Sequence, residues 1–65
     1  MIQSKVKSVM NEKGETILGL VEKTRLAQRT INRARGEMIS RCTLDTLASI
    51  AGALGCRVKD LFEEG

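Results

Sequence analysis

A chain of 65 residues, 42% of them apolar and 29% charged, has room for one economical core, because a domain of about 60 residues buries only roughly 60% of the surface that its unfolded chain exposes. Residues 1–65 therefore read as a single domain with no separate effector-sensing unit, and no apolar run approaches the roughly 18 residues that a membrane span requires. The net charge of +3 admits an anionic partner, while the absence of histidine and of a Gly-rich phosphate loop removes the usual general base and nucleotide cradle, so neither catalysis nor a cofactor is expected.

The opening, MIQSKVKSVM, lacks the continuous apolar core of a secretory signal, which points to a reducing cytoplasm. Ile2, Val6, Val9 and Met10 recur at helical spacing and predict a first amphipathic helix, stopped by Gly14. Thr16 is placed to cap a second helix, about two turns long, in which Ile17, Leu20, Val21 and Thr24 share a face and Leu18 lies off it. Gly19 within it costs on the order of 1 kcal/mol relative to alanine, so packing has to hold this helix.

A third helix is predicted over Gln28 to Arg35. Rotation by about 100° per residue sorts it into an inner arc of Ala27, Thr30, Ile31 and Ala34 and an outer arc of Gln28, Arg29, Asn32, Arg33 and Arg35. Gly36 ends it, and EMISRC makes a connector in which Ile39 tucks down to close the core. Thr43 caps a fourth helix whose stripe is Leu44, Leu47, Ile50, Ala51 and Leu54, stopped by Gly55. Val58, Leu61 and Phe62 suggest a last short helix, in which Leu61 and Phe62, the only aromatic residue, either pack inside or leave one of the two to contact a second copy. Nothing alternates convincingly as a strand. Cys42 and Cys56 cannot complete a zinc site without histidine and match no redox spacing; they are expected to be small apolar thiols.

Charge is focused in the middle of the chain. Between residues 25 and 41 stand five arginines, Arg25, Arg29, Arg33, Arg35 and Arg41, against one acid, Glu37. Two short helices joined by a short turn, the second with a polar outer face, are the plan of a helix-turn-helix, whose second helix enters the DNA major groove. Arginine can donate two hydrogen bonds to guanine, and glutamine or asparagine can match an adenine edge. Thr30 and the remaining arginines can hold phosphates.

Two stretches carry a family resemblance: KGETILGLVEKTRLAQRTINRARG resembles the second and third helices of the XRE, or Cro/C1-type, helix-turn-helix regulators, and TLDTLASIAGALGCRVKDLFEE is similar to their closing stretch. The likeness spans nearly the whole chain. It implies an all-α, five-helix lambda-repressor-like domain, sequence-specific binding to double-stranded DNA, and homodimers that repress or activate transcription. By position, Gln28, Arg29 and Asn32 would face base edges. Thr16 and Arg33 fall where the family meets phosphates, and Arg25, Arg35 and Arg41, by their charge, are expected to hold the backbone as well. Arg25 stands where the family usually has a turn glycine, so a left-handed backbone there would cost about 1 kcal/mol. Ile17 replaces the usual polar first residue of the second helix, and one residue fewer separates Ala34 from Gly36 than in many members. The rival expectation is a protein-interaction module, such as a DNA-tethered antitoxin or phage-immunity partner. An RNA-binding role is disfavoured because one aromatic ring offers little stacking surface for unpaired bases.

Overall fold

Four α-helices form where apolar periodicity predicts them: α1 (Val6–Lys13), α2 (Ile17–Thr24), α3 (Gln28–Arg35) and α4 (Leu44–Leu54) in a computed structural model that describes residues 1–65. Their ends follow local chemistry. Gly14 and Gly55 stop α1 and α4 in left-handed conformations, at φ 67° and 71°, which cost glycine nothing sterically. The hydroxyls of Thr16 and Thr43 accept from the N–H groups of Gly19 at 3.0 Å and Thr46 at 3.1 Å, so each satisfies a donor that the first helical turn leaves free.

The all-α, five-helix expectation needs correction. Residues Ile2–Ser4 are a strand, β1, paired antiparallel with a second strand, β2 (Phe62–Glu64), in the register Ile2 to Glu64, Gln3 to Glu63 and Ser4 to Phe62. Ile2 is thus not part of the first helix. The expected last helix shrinks to a 3₁₀ turn over Val58–Asp60. Three-residue segments cannot meet the cost of helix nucleation, whereas pairing the two ends of the chain satisfies backbone groups on both. The connector after α3 is likewise a 3₁₀ turn, Glu37–Arg41.

One aliphatic cluster joins all of these elements: Val6, Val9 and Met10 of α1, Leu20 of α2, Ile31 and Ala34 of α3, Ile39 of the connector, four residues of α4, and Leu61. Ile39 does close the core, at 1% exposure. Leu61 is buried and Phe62 half-buried against the cluster, so the internal alternative holds for both. Leu44 departs from expectation at 72% exposure: the first turn of α4 projects past the core, and the buried stripe begins at Leu47. Leu18 is exposed, as its position off the inner face of α2 predicts.

Ser4 ties the sheet to α3. Its hydroxyl donates to the carbonyl oxygen of Ala34 at 2.5 Å and accepts from the N–H of Val6 at 3.2 Å. One side chain therefore satisfies an orphan carbonyl near the end of α3 and a free donor at the start of α1. The effect is to lay β1 against the C-terminal end of α3.

Candidate nucleic-acid interface

Arg25, Leu26 and Ala27 make the turn between α2 and α3. Arg25 is the only residue other than glycine with positive φ, at 64°, and its N–H closes α2 by donating to the Val21 carbonyl oxygen at 2.8 Å. The turn keeps the left-handed shape that glycine would adopt freely. Thr24 braces it from within: its hydroxyl donates to the Leu20 carbonyl oxygen at 2.7 Å and accepts from the N–H of Leu26 at 3.2 Å. Arg25→Gly is expected to raise stability by up to about 1 kcal/mol by relieving the Cβ clash, a gain of roughly 4–8 °C in the melting midpoint of a domain this small. A thermal melt checks it, and an unchanged midpoint would mean that the arginine stem contributes packing equal to the strain.

α3 starts without a side-chain cap. Ala27, at its N-cap, supplies only its carbonyl oxygen, which accepts from Thr30 at 3.0 Å and Ile31 at 3.2 Å. The inner arc holds in part: Ile31 and Ala34 are completely buried and Thr30 is half-buried, but Ala27 is exposed because it precedes the helix proper. Gln28, Arg29, Asn32 and Arg33 are all exposed on the outer side. Arg35 is the exception on that arc. It is half-buried, and its Nε is enclosed without a hydrogen-bond partner, next to Ala34, whose carbonyl oxygen accepts from Ser4 of β1.

Arg25, Arg41 and Thr16 are also exposed. None of the five arginines between residues 25 and 41 makes an ion pair; the one pair in the chain joins Lys23 to Glu15 at 2.5 Å. Four exposed guanidinium groups and two exposed amides are thus left without an internal acidic partner.

The Glu15–Lys23 pair escaped sequence reasoning, since its members stand eight residues apart on a loop and the far end of α2, with no helical spacing to signal them. The Glu15 carboxylate also accepts from the N–H of Thr16 at 3.3 Å. The hydrogen bond from Lys23 holds the carboxyl below the usual carboxylate range. In the free chain a carboxylate therefore occupies the start of α2, beside Thr16, where an anion would otherwise meet the helix terminus.

The rest of the surface offers little chemistry of other kinds. No polar or charged residue is buried, and no three acidic or thiol groups gather closely enough to hold a metal ion. Burial raises the Cys42 thiol against the lowering influence of Arg33, and burial together with Asp60 raises the Cys56 thiol against Lys13. Both thiols are free and remain protonated at neutral pH, the less reactive form. No helix is long and apolar enough to cross a membrane. The family model for the Cro/C1-type HTH DNA-binding domain matches residues 5–63. No curated protein matches the chain.

Proposed function

Since the chain belongs to the Cro/C1-type helix-turn-helix DNA-binding domain family, we propose that it is a sequence-specific regulator of transcription, a repressor, whose α3 enters the major groove of double-stranded DNA. The observation that carries this is the division of α3: Ile31 and Ala34 are wholly buried, while Gln28, Arg29, Asn32 and Arg33 are exposed and free of internal ion pairs. In this reading Arg29 reads a guanine edge, and Gln28 and Asn32 read adenine edges. Arg25, Thr30, Arg33 and Arg41 hold phosphates on either side and set the register of the helix.

Thr16 and Arg35 serve the backbone under constraints. A phosphate reaching the N–H of Thr16 displaces the Glu15 carboxylate, which frees Lys23 to join the contact. Arg35 has its Nε enclosed and offers only its terminal nitrogens. Residues 1–65 act as one DNA-binding domain in a reducing cytoplasm, and occupancy of the operator blocks polymerase. One copy carries one recognition helix, and single modules bury too little surface for high affinity, so the binding form is a homodimer on half-sites about one helical turn apart.

Selection of bound sequences from random duplex DNA at two salt concentrations tests the proposal. The expected result is a palindromic motif whose affinity falls steeply with salt while its sequence preference persists. Enrichment of no motif at either salt would leave only a general affinity for polyanions and would overturn the regulator reading.

A further inference from the structure

We infer that the outer edge of β1 is where a second copy of this chain docks, the two β1 strands pairing antiparallel to join the two small sheets into one of four strands. This rests on the dimer just proposed and supplies its interface. β1 precedes residues 5–63, the stretch that the family model matches.

The backbone decides which groups are free. Met1 and Lys5 face β2: the Gly65 N–H donates to the Met1 carbonyl oxygen at 2.8 Å, and the Lys5 N–H donates to that of Leu61 at 2.7 Å. Gln3 pairs with Glu63 between them. By alternation, the N–H and C=O groups of Ile2 and Ser4 point away from β2. The sheet has no third strand, and no other backbone group of the chain bonds to them.

Charge separates this edge from the opposite one. β2 carries Glu63 and Glu64, so its self-pairing would set carboxylates beside carboxylates, a common way of protecting an edge. β1, Ile2-Gln3-Ser4, carries no charged side chain. A two-fold axis at Gln3 matches Ile2 of one copy with Ser4 of the other, the pairing that uses every free edge group reciprocally.

Beside the edge lies an open groove of about 880 Å³, lined by Ile2 and Ser4 on one side and Arg35, Glu37 and Met38 on the other. A partner strand seated there covers Met38, which is 44% exposed. Arg35 and Glu37 have no ion partner within the chain, and the two-fold axis brings each toward the other residue of the second copy. With its Nε enclosed, Arg35 makes that charge pair across the interface through its terminal nitrogens. The four N–H donors on those terminal nitrogens allow that pair and a phosphate contact together.

Sedimentation equilibrium of the full chain without DNA tests this. The wild type should dimerise, and Ile2→Pro, which removes an outward N–H and none that bonds to β2, should weaken the dimer at least about tenfold while Ile2→Val does not. Glu37→Arg should weaken it similarly by setting like charges together, and the double swap Arg35→Glu with Glu37→Arg should restore it. A wild type that stays monomeric at about 0.1 mM, or a dimer indifferent to both Ile2→Pro and Glu37→Arg, overturns the inference. Binding of the Ile2→Pro and Glu37→Arg chains to a duplex with one half-site separates the two readings, since one copy suffices there. A chain that dimerises through β1 yet binds no duplex refutes the regulator and leaves the interface standing.

Discussion

Ile31→Ala is expected to remove about half of the chain's folding stability. Ile31 is wholly buried, and with Ala34 it is one of the two residues by which α3 is anchored in the core. The helix has no side-chain cap, and its remaining residues are polar, so little else seats it. Truncating a buried isoleucine to alanine costs roughly 2–5 kcal/mol, the lost transfer energy plus the cavity left behind. A chain of this length has in total only about 3–10 kcal/mol of stability, and the shortened helix has no second layer of core to collapse onto. Urea denaturation followed by far-UV circular dichroism measures the loss. Asn32→Ala, one position along and exposed, should stay within about 0.5 kcal/mol of the wild type. If the two substitutions prove equally mild, α3 is not seated on the core as described.

What could be read from the sequence was local. Thr16 and Thr43 begin helices, and Gly14 and Gly55 end them, because each acts on backbone groups within four residues of itself. The inner and outer sides of α3 were legible for the same reason: Ile31 and Ala34 against Gln28, Arg29, Asn32 and Arg33 is a pattern of one helix. The misses are all tertiary. β1 and β2 are three residues each at opposite ends of the chain, too short for alternation to register, and only the folded core brings them together. Arg35 is polar and on the outer arc yet half-buried, at the end of α3 that Ser4 ties to β1 through the Ala34 carbonyl oxygen, a link across 30 residues that no periodicity reports. Leu44 fails in the opposite sense. A helical wheel gives it the core face, but nothing stands opposite the first turn of α4 to cover it. The candidate interface was therefore more legible than the fold's periphery, since most of it sits on one short helix and the turn before it. The exception is the pairing of Glu15 with Lys23, which bears on Thr16.

Arg29→Ala is expected to cost about 1–3 kcal/mol in binding to the selected operator, a loss of roughly 5- to 150-fold. Arg29 lies in the first turn of α3, is exposed, and has no internal acidic partner, so its removal disturbs neither the core nor an ion pair. The N-terminal residues of a recognition helix are those that reach base edges. The informative quantity is the difference between sequences. If the guanidinium donates both its bonds to a guanine, the variant loses affinity for the operator and loses almost nothing on a duplex changed at that one base pair, so the preference at that position relaxes. Arg33→Ala provides the contrast: if, as proposed, Arg33 meets a phosphate at the groove's rim, its removal should weaken every duplex alike and lower the steepness of the salt dependence by about one counterion. Titrations of both variants against matched and singly substituted duplexes, each at two salt concentrations, distinguish the roles. Equal weakening by Arg29→Ala on all duplexes would move Arg29 to the backbone and leave Gln28 and Asn32 as the base readers.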